Sequence, residues 1–279
     1  MNARLIVSAD DLGLTEGHNR AVIDAHCRGI LTSASLLACG PAFDDAIRQL
    51  RGMPGLGLGV HLTLLEGTPV LPASETPDLT DGQGQFGFSY ARFFRRLALG
   101  RRQIDQVRRE WHAQIEKVLA TGLAVTHLDS HKHIHMHPQL LEAAMALANE
   151  FGIRRMRLSR PARPAAGAKP ALLGLLAVWA RRRLHQQGVR TPEALLGLES
   201  SGQMTEARTL AVLSNAWVGT RELMMHPAYP NPELDRLLAQ GFDWISGYRF
   251  ADELAALCSP KVKRLLDARN IRRIHYGDL

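Results

Sequence analysis

The chain has 279 residues, 46% of them hydrophobic, enough for one large domain with a sizeable core and too apolar for a disordered protein. Its three cysteines, Cys27, Cys39 and Cys258, form neither a disulfide framework nor a Cys-x-x-Cys pair, so the expected compartment is the reducing cytoplasm. The net charge of +7 invites a polyanionic partner, but the basic residues concentrate around Arg92–Arg109 and Arg181–Arg190 with no helix-turn-helix, zinc-finger or RNP pattern, so the reading is no nucleic acid.

The amino terminus shows no signal-peptide pattern, and no apolar run approaches the roughly 18–20 residues of a membrane span. Leu5–Ala9 is a short apolar run ending at Asp10-Asp11-Leu12-Gly13, a buried strand followed by a turn. Thr15 can cap a helix over Glu16–Arg28, and Gly29 stops it where a left-handed residue is expected. A strand over Ile30–Leu37 and a helix near Phe43–Arg51 follow. Leu56–Leu64 alternates strictly, with Gly57, Gly59, His61 and Thr63 on one face, where small residues let another group approach the backbone.

Residues 66–90, rich in Gly, Pro, Thr and Asp, read as a long loop of the kind that forms functional lids. Gln103–Ala120 is helical and leads into Thr126–Pro138, where five of the protein's 12 histidines crowd beside Asp129. If that run is extended, His127, Asp129, His131 and His133 share a face. Pro138 suits the first position of a helix that Gly152 closes, and Ile153–Leu158 reads as another strand.

Residues 161–204 break the alternation and look like an insertion in a single domain. Ala171–Arg183, ten apolar residues followed by three arginines, fits either a buried helix with a basic end or an interfacial helix in peripheral contact with a membrane. The pattern returns at Arg221–Met225 and His226-Pro227, and ends in a basic helix from Pro260 and a strand near Ile271–Tyr276. Strand–helix repetition with short links predicts parallel βα units, and in such a fold the strand carboxyl ends share one face.

Four strand ends therefore carry candidate groups: Asp10 and Asp11, His61, His131 with its neighbours, and His226. Each has a bland alternative: a turn pair, a satisfied core histidine, a solvated histidine loop, a turn residue before proline. Their joint occurrence at successive strand ends favours a site. Two imidazoles and a carboxylate leave positions open for water and substrate, as in catalytic zinc sites. A second carboxylate can then act as base and an opposing histidine as acid.

The segments Ser8–Gly13, Gly59–Leu62, Thr126–His133 and Met225–Pro227 resemble the signature of the YdjC-like carbohydrate deacetylases. The resemblance runs from the first strand to the last. It implies a distorted TIM-like (β/α) barrel that removes acetyl groups from N-acetylated sugars with one divalent metal. It further implies Asp11, His61 and His131 as metal ligands, Asp10 as general base, His226 as acid, and Arg157 as a residue orienting Asp10 or binding substrate. Two histidines and a carboxylate favour zinc over magnesium by ligand softness. Lys132 and His137 make the chain more similar to the hopanoid-biosynthesis-associated HpnK subgroup, which implies a sugar carried on a hopanoid glycolipid. A chitooligosaccharide substrate, another barrel metal hydrolase and a non-catalytic sugar- or lipid-binding protein are the alternatives. Oligomeric state is left open.

Overall fold

A computed structural model describes residues 3–86, 93, 95, 100–162 and 168–279, with side chains from residue 174 onward in the helix that begins at 168. The expected loop residues 87–90, the basic residue Arg92, Pro164 and the side chains of Ala171–Leu173 lie outside the described residues. The strands are β1 (Arg4–Leu12), β2 (Ser33–Leu36), β3 (Gly57–Leu62), β4 (Val125–Ser130), β5 (Ala194–Leu196), β6 (Thr220–Met225) and β7 (Arg272–Arg273). The helices are α1 (Glu16–Arg28), α2 (Phe43–Leu50), α3 (Arg101–Leu119), α4 (Pro138–Glu150), α5 (Ala168–Gln186), α6 (Glu206–Leu213), α7 (Pro232–Ala239), α8 (Phe250–Leu257) and α9 (Pro260–Ala268).

Every strand pairing is parallel, in the order β4-β3-β2-β1-β6-β5, with β7 added to β1. Leu5, Ile6 and Val7 of β1 are fully buried, which is why the central strand is a continuous apolar run. The sheet curls with helices outside it, the expected distorted (β/α) barrel. Its seam is irregular. Isolated bridges Leu128↔Met156, Arg155↔Arg190 and Pro161↔Leu195 carry the chain between β4 and β5. The strand expected over Ile153–Leu158 takes this reduced form, and Pro161, lacking an N–H, cannot extend a ladder toward β5.

Other boundaries shift for local reasons. Residues 161–204 supply α5 and also β5, so this stretch contributes a strand to the sheet itself. Gly29 is not left-handed (φ −111°); a Cβ there would meet the Leu257 carbonyl oxygen at 2.5 Å, so close packing selects glycine. Gly152 does take the left-handed conformation, at φ +69°, and closes α4. The histidine run stays extended only to Ser130; His131–Met136 is a tight turn with Lys132 and His133 at φ 52° and 57°. The expected common face therefore breaks after Asp129. The strand expected over Ile271–Tyr276 shrinks to β7, and Tyr276–Asp278 is a helical turn.

The stretch 66–86 contains no helix or strand, as expected, but it is tied down. Glu110 of α3 accepts from the backbone N–H groups of Val70 and Leu71 at 2.9 and 3.0 Å, and Phe86 is buried. Among the described residues, no helix is long and apolar enough to cross a membrane.

Candidate active site

The strand carboxyl ends bring the expected residues together through register. His61 on β3 lies directly opposite Asp129 on β4, and its Nδ1 is 2.8 Å from Asp129 Oδ1. Gly59, two residues earlier, faces His127; a Cβ at Gly59 would lie 2.4 Å from that ring. The small face of β3 thus accommodates an imidazole. His127 also stacks on Tyr276 with ring centroids 3.7 Å apart.

At the end of β1 the register with β2 shifts between Ala9 and Leu12, and Asp11 adopts φ +60°, a strained value for a residue with a side chain. The irregularity sends the adjacent carboxylates to different partners. Both oxygens of Asp10 are bound by Arg157, at 2.6 and 2.7 Å. Asp11 Oδ1 instead faces His131 Nδ1 at 2.9 Å and His61 Nε2 at 3.5 Å.

Asp11, His61 and His131 each offer a ligand atom, all within 4.8 Å of one another, and all three are buried. The outer ring nitrogens are already engaged: His61 Nδ1 with Asp129, and His131 Nε2 with Glu66 at 2.8 Å. When those nitrogens donate their protons to the carboxylates, two imidazole lone pairs and a carboxylate oxygen converge on one point. Such a set is satisfied by a cation, with the outer carboxylates fixing each tautomer. The same need appears in the protonation equilibria. Burial opposes charge on His61, but Asp129 and Asp11 outweigh it and hold its pKa up to about 10. Burial is likewise outweighed at His131, raised by Asp11 and Glu66. The residues present fit a divalent metal.

Asp10, His61 and Asp129 also lie close enough to share an ion. There the charge is already supplied. Arg157, fully buried, pairs with Asp10, with Asp129 at 2.9 Å and with Glu222 at 2.7 Å. Tyr276 donates to the other Glu222 oxygen at 2.6 Å, and Ser35 donates to Asp129 at 2.7 Å. Among the described residues, no guanidinium pairs with the Asp11 set. Arg157 has its donors committed to carboxylates, which places it behind Asp10.

His226 follows β6 and is 5% exposed; its Nδ1 lies 3.6 Å from Glu253 Oε2 and has no hydrogen-bond partner among the described residues. Glu253 instead accepts from the His226 backbone N–H and from the N–H of Met204 at 2.8 Å. Burial disfavours the imidazolium, but Glu253 raises its pKa above the ordinary value.

Several members of the site had no expected role. Glu66 stands immediately beyond β3 and accepts from Lys132 and from the Trp244 indole N–H at 3.1 Å. Its signal was positional, a carboxylate just past a strand end, where the other groups also lie. Glu222 was visible as a charged residue inside the apolar strand Arg221–Met225. Trp244, Tyr248 and Glu253 belong to segments far along the chain whose approach to the site no local pattern announces.

The fold and site define an α/β barrel with a buried carboxylate–histidine centre suited to one divalent ion. The YdjC-like protein family model matches residues 4–268, and the chain belongs to that family. A carbohydrate deacetylase of Geobacillus stearothermophilus is 31% identical over 276 residues, covering 98% of this chain and 96% of the relative. A carbohydrate deacetylase of Brevibacillus brevis is 29% identical over 277 residues, covering 99% of each chain. The crystal structure of an Enterococcus faecalis protein, for which cellobiose-phosphate cleavage has been suggested, superimposes with a TM-score of 0.79 at 28% identity, covering 100% of this chain and 99% of that one.

Proposed function

We propose that this chain is a metal-dependent hydrolase that removes the N-acetyl group from an N-acetylglucosamine-type sugar. The observation that carries the reading is the convergence of Asp11, His61 and His131 on one point beside an Arg157-held Asp10. The relatives' description as carbohydrate deacetylases supports the substrate class. Asp11, His61 and His131 would hold a divalent ion, which when bound would supply Lewis-acid polarisation of the acetyl carbonyl. Two imidazoles favour zinc over magnesium for that position.

Asp10 is the general base. Arg157 fixes its plane, and a carboxylate retains lone pairs beyond those that two N–H donors use. It takes a proton from water as the water oxygen bonds to the acetyl carbon. His226, held beside Glu253, gives a proton to the nitrogen as the carbon–nitrogen bond breaks, releasing acetate and an amino sugar.

The substrate we favour is carried on a hopanoid lipid. Leu175 and Val178 on α5 are 70% and 56% exposed, next to Arg181 and Arg182, an apolar and basic surface suited to peripheral contact with a membrane. The same helix buries Ala177, Ala180 and Leu184, so it also packs as a core helix. The decisive assay follows acetate release from an N-acetylglucosaminyl hopanoid and from a chitooligosaccharide, before and after chelation. Release that stops with the chelator and returns with zinc supports the reaction. Preference for the soluble sugar moves the substrate away from the lipid, and no release from any N-acetylated sugar sinks the deacetylase reading.

A further inference from the structure

The metal centre is closed to anything the size of a sugar. Asp11 and His61 are each 1% exposed. The cavity against Asp11, Glu66 and His131 measures about 20 Å³, room for a single water. Phe242 and Trp244 line it, together with Cys39, Gly40, Pro41 and Gly67 from the loops after β2 and β3. An N-acetylated pyranose is many times larger, so part of the wall must yield before the acetyl group reaches the centre.

The walls differ in how they are held. Leu14, Leu37 and Thr63 lie just beyond β1, β2 and β3, backed by the sheet. Residues 242–248 form instead a short helical turn between α7 and α8, with Asp243, Ser246 and Gly247 exposed. Gly241 before it takes φ +91°, and a side chain at Gly241 or Gly247 would touch nothing. Phe242 and Ile245 pack with Leu14 and Leu37 in a small cluster apart from the main core. Segments with few buried contacts open at the lowest cost.

This segment also spans the reaction centre. The Trp244 ring lies 5.3 Å from that of His131 and 4.9 Å from Tyr248, and the Tyr248 ring lies 4.9 Å from His226. The rings run unbroken from a metal ligand to the candidate acid. An acetamido group placed between those two residues puts the attached pyranose against the rings that join them.

Resting on the deacetylase reading, we propose that residues 242–248 are a sugar-recognition strap. It releases the Trp244–Glu66 hydrogen bond to admit the substrate and then presents Trp244 to the apolar face of the pyranose, with Tyr248 as its anchor. Tyr248 suits the fixed end, because its hydroxyl bonds Ser201 at 3.0 Å and its ring lies against the backbone of Gly202.

The test uses the zinc-loaded enzyme with N,N′-diacetylchitobiose and, as a sugar-free substrate, 4-nitrophenyl acetate. Trp244→Ala is expected to raise KM for the sugar about tenfold, the upper range for loss of an aromatic stacking partner, a larger loss than it causes on the ester. Trp244→Phe should keep most of the affinity. Equal loss on sugar and ester, or no change on the sugar, overturns the strap. Should the alanine variant not fold, tryptophan emission decides: sugar binding should shift it in the wild type and not in Trp244→Phe, and a shift that persists in Trp244→Phe refutes the assignment. A wild type that deacetylates no sugar fails at the earlier step, whereas an active wild type with indifferent Trp244 variants defeats the strap alone.

Discussion

Two buried carboxylate clusters lie side by side in this barrel, and they solve the same electrostatic problem differently. Around Arg157, the carboxylates of Asp10, Asp129 and Glu222 share one guanidinium and further donors from Ser35 and Tyr276. Around Asp11, two imidazoles and a carboxylate converge with their outer hydrogen-bonding capacity already spent on Asp129 and Glu66. The first cluster contains its counter-charge, so it is built to hold shape. The second has imidazoles in place of a guanidinium, and under the proposed function a bound cation supplies its counter-charge. A buried acidic group by itself signals neither role; the identity of its nearest cation does.

The largest effect should come from breaking the self-contained cluster. Arg157→Met strands buried carboxylates at a cost of about 3–5 kcal/mol, enough to lower Tm on the order of 10 °C. A thermal melt within a few degrees of wild type would mean the carboxylates are solvated or protonated at little cost. Next comes the externally neutralised cluster. His131→Ala should abolish acetate release while leaving metal-free Tm within a few degrees. Wild type, but not the variant, should gain about 2.7 kcal/mol of stability from zinc at a hundredfold excess over Kd. Equal zinc stabilisation of both proteins would move the metal elsewhere.

Acid offers a third contrast. Burial keeps His18, His127 and His135 neutral, with pKa values lowered to about 4, 3 and 4. Between the unfolded value near 6.5 and pH ~4 the unfolded chain therefore binds more protons, so stability falls as pH falls through this window. Metal loading should steepen the loss, because protons compete for the imidazole ligands. Denaturant titrations at pH 7 and pH 5 of chelated and zinc-loaded protein would show it; parallel losses would contradict a histidine-bound metal. A smaller effect is expected from Tyr276→Phe, which removes one donor from Glu222 and should cost about 1.5–3 kcal/mol without altering zinc affinity measured by calorimetry. Glu142→Ala, breaking the exposed Arg183 pair, should cost no more than about 1 kcal/mol, and a larger loss would show that α5 depends on this contact.

The site was legible where its residues end strands. Asp10, Asp11, His61 and His226 occupy such positions, and periodicity together with turn residues marks them without three-dimensional information. His131 was legible as a member of the histidine run, yet its neighbours separate: His127 packs into the sheet against Tyr276 and His133 turns to within 3.1 Å of Ser159. Alternation predicts faces only while the strand lasts, and the left-handed Lys132 and His133 end it. Glu66 had only its position after a strand end to mark it, and Trp244 and Glu253 were not legible, because what gives each its place is a hydrogen bond across 178 and 27 residues respectively.

The sequence alone determined the parallel βα rhythm, the helix cap at Thr15, the helix start at Pro138, and the residue types gathered at the strand ends. These follow from local rules of period, dihedral preference and capping, which act within a few residues. Only the tertiary structure decided that Asp11 faces two imidazoles while Asp10 faces a guanidinium, and that Trp244 reaches the cavity beside Asp11 from a distant segment. Which charge meets which counter-charge depends on strand register and barrel curvature, and a chain of residue types does not contain those distances.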